Sequence, residues 1–443
     1  MGELGKPDGV GAIGRRILVL AAPTLGIAAL QAGGQLVETV LAARQGTAAL
    51  AGWTLVLPFA LMMQQMSAGA MGGGVVSAIA RALGAGRRDE AAALVQHALL
   101  IALALGGVFM VVLAGFPLAV LGAIGGAGPA AAGAPYAMWL FGAGAIPAWA
   151  ANTLASVLRG GGKHGLAARV LVVQALVFPG LAWLLMEPCR LGLAGLGMAF
   201  VATQAAAALA MAVVVIRGGA GFVPGWRPAL QAGLFRRILA VGAVACAMAA
   251  VANLTTILVT RRIAAEGAAA VAAYGISARL EFLMVPLAFG VGSALTALVG
   301  RAVGADDWAT ARRTAWVGGL GAFAVAASAG LATGLFPGRF AAAFSRDPEV
   351  IAIATRALGL IGPAFGPFGL GMALYFASMG AGRMRWPAVA AVSRISIAVI
   401  GGWLLADVAG LGLDGQFLAV ALGIAAYGGV VAGSVRPGVW RAG

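Results

Sequence analysis

Gln31, Gln35 and Glu38 follow one another at i, i+4 and i+7, the spacing that lines three side chains along one stripe of a helix. Two amides beside one carboxyl suit a site that holds a proton or a cation. The surrounding run, Ile17 to Leu41, is otherwise almost wholly apolar. An acid at the centre of a membrane helix costs ~2.5–3.5 kcal/mol on the insertion scale, so the stripe has to face a bundle interior or a water-filled cavity. Of the fourteen Asp and Glu, Glu281 is the only other one well inside an apolar run. Its neighbour Arg279 is two residues away, about 200° around a helix, which makes the two poor mutual partners. Either could pair with another helix, as a structural ion pair or as part of a functional site.

Further polar candidates lie singly within apolar runs: Gln64 with Ser67, Asn152, Gln174, and Asn253 with Thr256. Each suits interhelical hydrogen bonding or a cavity wall. Met62, Met63 and Met66, with Trp53, Trp149, Tyr274 and Tyr375, suit an adaptable lining, since methionine adapts to varied shapes and aromatic faces attract cations. Other chemistries lack their residues. Gly160-Gly161-Gly162-Lys163 is followed by His164 and lacks a leading Gly, so it is no phosphate-binding loop. His97 and His164 stand apart, and Cys189 and Cys246 form neither a disulfide framework nor a metal set. No resident cofactor or metal is expected, and no enzyme activity.

The elements that position these residues follow from composition. Of 443 residues, 62% are hydrophobic and 10% charged, too apolar for a water-exposed surface. Twelve apolar runs of spanning length are read as Ile17–Leu41, Leu50–Ala78, His97–Leu121, Tyr136–Leu158, Val170–Met186 and Leu193–Ile216, then Ile238–Val259, Val271–Val299, Ala315–Phe336, Ile351–Met379, Pro387–Ala406 and Gln416–Val435. The formal charge of +15 would suggest nucleic acid in a soluble chain. Here the basic residues sit between apolar runs instead. With the N-terminus inside, 20 of the 29 Lys and Arg fall on one side and 6 on the other, Lys6, Arg227 and Arg441 among the 20. Arg279, Arg356 and Arg394 fall within spans. That bias places both termini in the cytoplasm.

A shift of 220 residues superposes Arg81-Ala82 and Gly84-Ala85 on Arg301-Ala302 and Gly304-Ala305, Phe116-Pro117 on Phe336-Pro337, and Gly160 and Gly162 on Gly380 and Gly382. Gly and Pro dictate backbone shape, so their recurrence at one offset signals a structural repeat. Six spans per copy imply a parallel repeat. The expected fold is all-α and integral to the membrane: residues 1–216 as one six-helix bundle, 217–237 as a cytoplasmic linker, 238–443 as a second pseudo-symmetric bundle, with a central cleft.

Leu36-Val37-Glu38-Thr39-Val40 with Gly46-Thr47-Ala48-Ala49-Leu50-Ala51, Ala82-Leu83-Gly84-Ala85-Gly86-Arg87-Arg88 and Leu158-Arg159-Gly160-Gly161-Gly162 resemble motifs of the multidrug and toxic compound extrusion (MATE) family. Ala272-Ala273-Tyr274-Gly275-Ile276, Pro286 and Val299-Gly300-Arg301 repeat the pattern in the second half. The resemblance implies a secondary antiporter of the inner membrane. It would export small organic, often cationic, compounds in exchange for H⁺ or Na⁺ by alternating access, as a monomer and without nucleic acid. Glu38 would stand where the family has a coupling Asp. Asn253 and Thr256 stand in the seventh span, where many relatives carry an acid, which leaves Glu281 for any coupling in the second half. A lipid-linked saccharide flippase of the same superfamily would favour a cationic cavity, whereas interior Arg is sparse. A major-facilitator carrier would place an Asp before the Arg-rich loop that follows Ala78, and none is there.

Overall fold

The computed structural model describes residues 9–225 and 230–442; Lys6 and Arg227 lie outside them. Among the described residues every regular element is helical. The first half runs α1 Val10–Arg44, α2 Thr47–Gly84, α3 Arg88–Ala114, a short α4 Pro117–Gly125, α5 Ala127–Ala143, α6 Ala145–Gly160, α7 His164–Met186 and α8 Gly192–Ile216. The second runs α9 Ala232–Glu266, α10 Ala268–Gly304, α11 Trp308–Leu335, a short α12 Pro337–Phe344, α13 Pro348–Ala381, α14 Arg385–Val408, α15 Gly412–Ser434 and α16 Val439–Ala442. Among the described residues eleven helices are long and apolar enough to span a bilayer, and α5 with α6, bent by 50°, supplies a twelfth if the pair crosses as one.

The expected spans and the helices differ at two kinds of place. Helices overrun the apolar runs, as α1 and α2 do at both ends, because helical hydrogen bonding continues into the polar connectors. The third and ninth spans are each followed by a short helix, α4 and α12, that hydropathy merged or missed. Both begin with Pro at their first turn, a residue that opens a helix and cannot continue one.

The chain divides into two compact units: residues 22–243, and residues 244–443 together with the start of α1 up to Ala21. The repeat is visible in the internal geometry of each. Before the short helices, Phe116 has φ −130°, ψ 46° and Phe336 φ −123°, ψ 45°. A Cβ placed on Gly195 would lie 2.9 Å from the Leu185 carbonyl oxygen, and one on Gly415 would lie 2.7 Å from that of Leu405. Both close approaches, 220 residues apart, need the missing side chain. Gly162 and Gly382, just past the ends of α6 and α13, share left-handed φ of 76° and 72°.

The two copies differ in the run of their second helix. Within α2, residues Gln65–Met71 form a π-helical turn that hands over to Gly72-Gly73-Gly74. A Cβ on Gly72 would lie 2.6 Å from Ser156 Oγ, and one on Gly74 would lie 2.8 Å from the Gly242 nitrogen. The glycines therefore let α6 and the start of α9 close on α2. The corresponding helix, α10, is α-helical from Ala268 to Gly304.

Candidate functional site

Glu38 is half-buried near the end of α1, while Gln31 and Gln35 on the same stripe are exposed. Around the carboxyl are two buried aromatics, Trp53 of α2 and Tyr136 of α5. Their helices cross at bare backbone: a Cβ on Gly52 would lie 2.4 Å from the Gly133 nitrogen. That crossing sits one residue from Trp53 and three from Tyr136. The Trp53 indole is close enough to interact with the carboxyl, but its N–H makes no hydrogen bond of regular geometry. Among the described residues no basic side chain forms an ion pair with Glu38. The arrangement is an acid in an aromatic corner, able to take a proton or a cation from outside.

Asn152, Gln64 and Ser67 form a second, neutral cluster in the same unit. The Asn152 amide donates to Gln64 Oε1 at 3.3 Å and to Ser67 Oγ at 2.8 Å, and Ser156 donates to the Asn152 carbonyl at 2.8 Å. The cluster ties α6 to the π-helical turn of α2. Gln174, on α7, is half-buried and joins neither group.

In the other unit Glu281 of α10 pairs with Arg394 of α14, Nη2 to Oε1 at 2.5 Å, both side chains mostly covered. Tyr274, seven residues before Glu281 and so on the same face of α10, is buried beside the pair. The Arg394 guanidinium lies 5.5 Å over the Phe368 ring, and that ring is 6.5 Å from Tyr427. Arg279, by contrast, is exposed. Asn253 and Thr256 bond back to Ala249 and Ala252 on their own helix, at 2.9 and 3.4 Å.

Sequence reasoning did not single out Arg394, Tyr427 or Tyr136 as site residues. Arg394 carried a signal, being one of three arginines inside apolar runs. The second, Arg356, pairs with Asp414 at 3.1 Å. Tyr136 and Tyr427 carried none, because an aromatic in a membrane helix is ordinary.

Comparison with known proteins gives a consistent picture. A family model described as MatE matches residues 23–184 and again 242–404, once in each copy of the repeat. The chain is 30% identical to the Probable multidrug resistance protein NorM of Caulobacter vibrioides, over 78% of this chain and 75% of that protein. Its fold matches the bent form of the Vibrio cholerae MATE transporter VcmN with a TM-score of 0.89 at 19% identity, covering 98% of both chains. It also matches a MOP superfamily transporter from Pyrococcus furiosus with a TM-score of 0.86 at 20% identity, covering 96% of this chain and 97% of that one.

Proposed function

The chain belongs to the MATE family of multi-pass membrane transporters, and on that premise we propose that it exports small organic cations in exchange for H⁺ or Na⁺, with Glu38 as the carboxyl that both compete for. The observation that carries this reading is a membrane-helix acid set between Trp53 and Tyr136 with no basic partner among the described residues. An uncompensated carboxylate is costly in such surroundings, so a proton, Na⁺ or cationic substrate that neutralises it gains what that cost would have been.

In the proposed cycle, ionised Glu38 holds an organic cation from the cytoplasm by charge and aromatic contact, with exposed Gln31 and Gln35 orienting it. On the other side of the membrane H⁺ or Na⁺ takes its place, and alternating access returns the neutralised carboxyl. Each net charge moved is worth about 2.3 kcal/mol per 100 mV. The reading places the protein in the inner membrane as a monomer, with both termini cytoplasmic, as the loop charges support. The name of the Caulobacter relative, Probable multidrug resistance protein NorM, supports varied substrates, and exposed methionines such as Met62 suit them.

The test is export of a fluorescent organic cation from proteoliposomes, with pH and Na⁺ gradients imposed separately. Glu38→Gln is expected to lower gradient-driven export at least tenfold while the protein stays folded. Undiminished export by a normally inserted Glu38→Gln protein removes Glu38 from the coupling role.

A further inference from the structure

The two intramembrane acids have different electrostatic surroundings. Glu281 is met by a guanidinium of its own chain, and four helices hold that guanidinium in place. Arg394 comes from α14, Glu281 from α10, and the Phe368 face beneath the guanidinium from α13. Gly423 of α15 admits the α14 backbone, since a Cβ there would lie 2.9 Å from the Arg394 carbonyl oxygen. Arg carries a permanent charge and a planar fork of donors, so the pair stays neutral as a unit without help from solution.

The repeat shows that this is a property of one half only. Moving 220 residues back from Arg394 leads to Gln174, a half-buried neutral amide on α7. The half that carries Glu38 thus has an amide where the other half has a fixed cation. The neutral cluster is asymmetric in the opposite sense, because Gln64 and Asn152 correspond to Met284 and Met372.

We propose that Arg394 is a tethered counter-ion filling, at Glu281, the place that an exchangeable cation would otherwise take, so that Glu38 alone sets how many coupling cations move per cycle. This rests on the reading of Glu38 given above. It assigns Arg394 a role in the stoichiometry of exchange, acting through Glu281.

The test removes the tethered charge and asks whether a dissolved one replaces it. In a Glu38→Gln background, which silences the first carboxyl, melting of the purified protein in detergent is followed from pH 8 to pH 5, with and without Na⁺. Adding Arg394→Gln is expected to lower the melting temperature at pH 8 without Na⁺, and acid or Na⁺ is expected to restore it. Adding Glu281→Gln as well is expected to abolish that dependence, and Arg394→Lys is expected to show none. With Glu38 intact, Arg394→Gln is expected to raise the Hill coefficient of export for the coupling cation from about 1 to about 2, a change that lost packing alone would not cause. The proposal is overturned if Arg394→Gln gains no cation dependence, if the dependence survives Glu281→Gln, or if the charge-free double variant fails to fold as the single one does. If the unaltered protein exports no cation under either gradient, the proposed function fails, and the melting series still decides the role of Arg394.

Discussion

Asn152 shows how much one side chain settles inside a membrane protein. Its amide donates to both Gln64 and Ser67, so Asn152→Ala leaves acceptors stranded beside the π-helical turn. The expected loss is about 1–3 kcal/mol, measured by unfolding in mixed micelles. Gln64→Met with Asn152→Met, the residue types found 220 positions later, removes both polar partners and is expected to lose less than Asn152→Ala. Which polar residues would matter was legible from type alone: Glu38, Glu281, Gln64 and Asn152 were all evident as polar groups in apolar runs. Their partners were not. Arg394 and Glu281 are 113 positions apart and Asn152 and Ser67 are 85 apart, and helical periodicity carries no information at that range.

At the scale of elements, helix ends and helix crossings each give a prediction. The Asp307 side chain caps α11, accepting from the Thr310 N–H at 2.9 Å. The Thr310 side-chain and backbone hydrogen bonds hold its carboxyl below its ordinary value of 3.8. A carboxyl depressed on folding contributes stability that is full above its unfolded value and is lost as the pH falls through the folded one. Asp307→Ala is therefore expected to cost about 1 kcal/mol at neutral pH. Thermal unfolding should show that gap intact down to about pH 4 and closing below it. The crossing of α2 with α5 depends on Gly52 meeting Gly133 backbone to backbone. Gly52→Leu is expected to force the helices apart, moving Trp53 and Tyr136 away from Glu38. Export is expected to fall at least tenfold, with quenching of Trp fluorescence by a water-soluble agent rising. The short helices α4 and α12 were not legible in hydropathy, because a Pro-initiated turn at a span end is as apolar as the span itself.

At the scale of the whole chain, loop charge and repeat make the topology testable. With Cys189 and Cys246 replaced, single cysteines at Lys163 and Gly382 are expected to react with an impermeant maleimide from the cytoplasmic side only. Those at Gln45 and Gly267 are expected to react from the outer side only. Labelling of both sets from one side would overturn the assigned orientation. The repeat was legible at this scale because Gly and Pro record backbone shape directly. Pairs such as Gly195 and Gly415 show why, since the same close approach recurs in each unit.

Composition and periodicity by themselves determined that the chain is a bundle of membrane helices, built twice, with two acids inside. Each of those conclusions depends on water rejecting apolar surface and lipid rejecting charge, and both effects act on residues one at a time. Only the folded chain decided that Glu281 is answered by Arg394 while Glu38 stands among aromatics with no basic partner among the described residues. An ion pair requires two distant side chains to arrive within a few ångströms, and that meeting is set by which glycines let the helices touch.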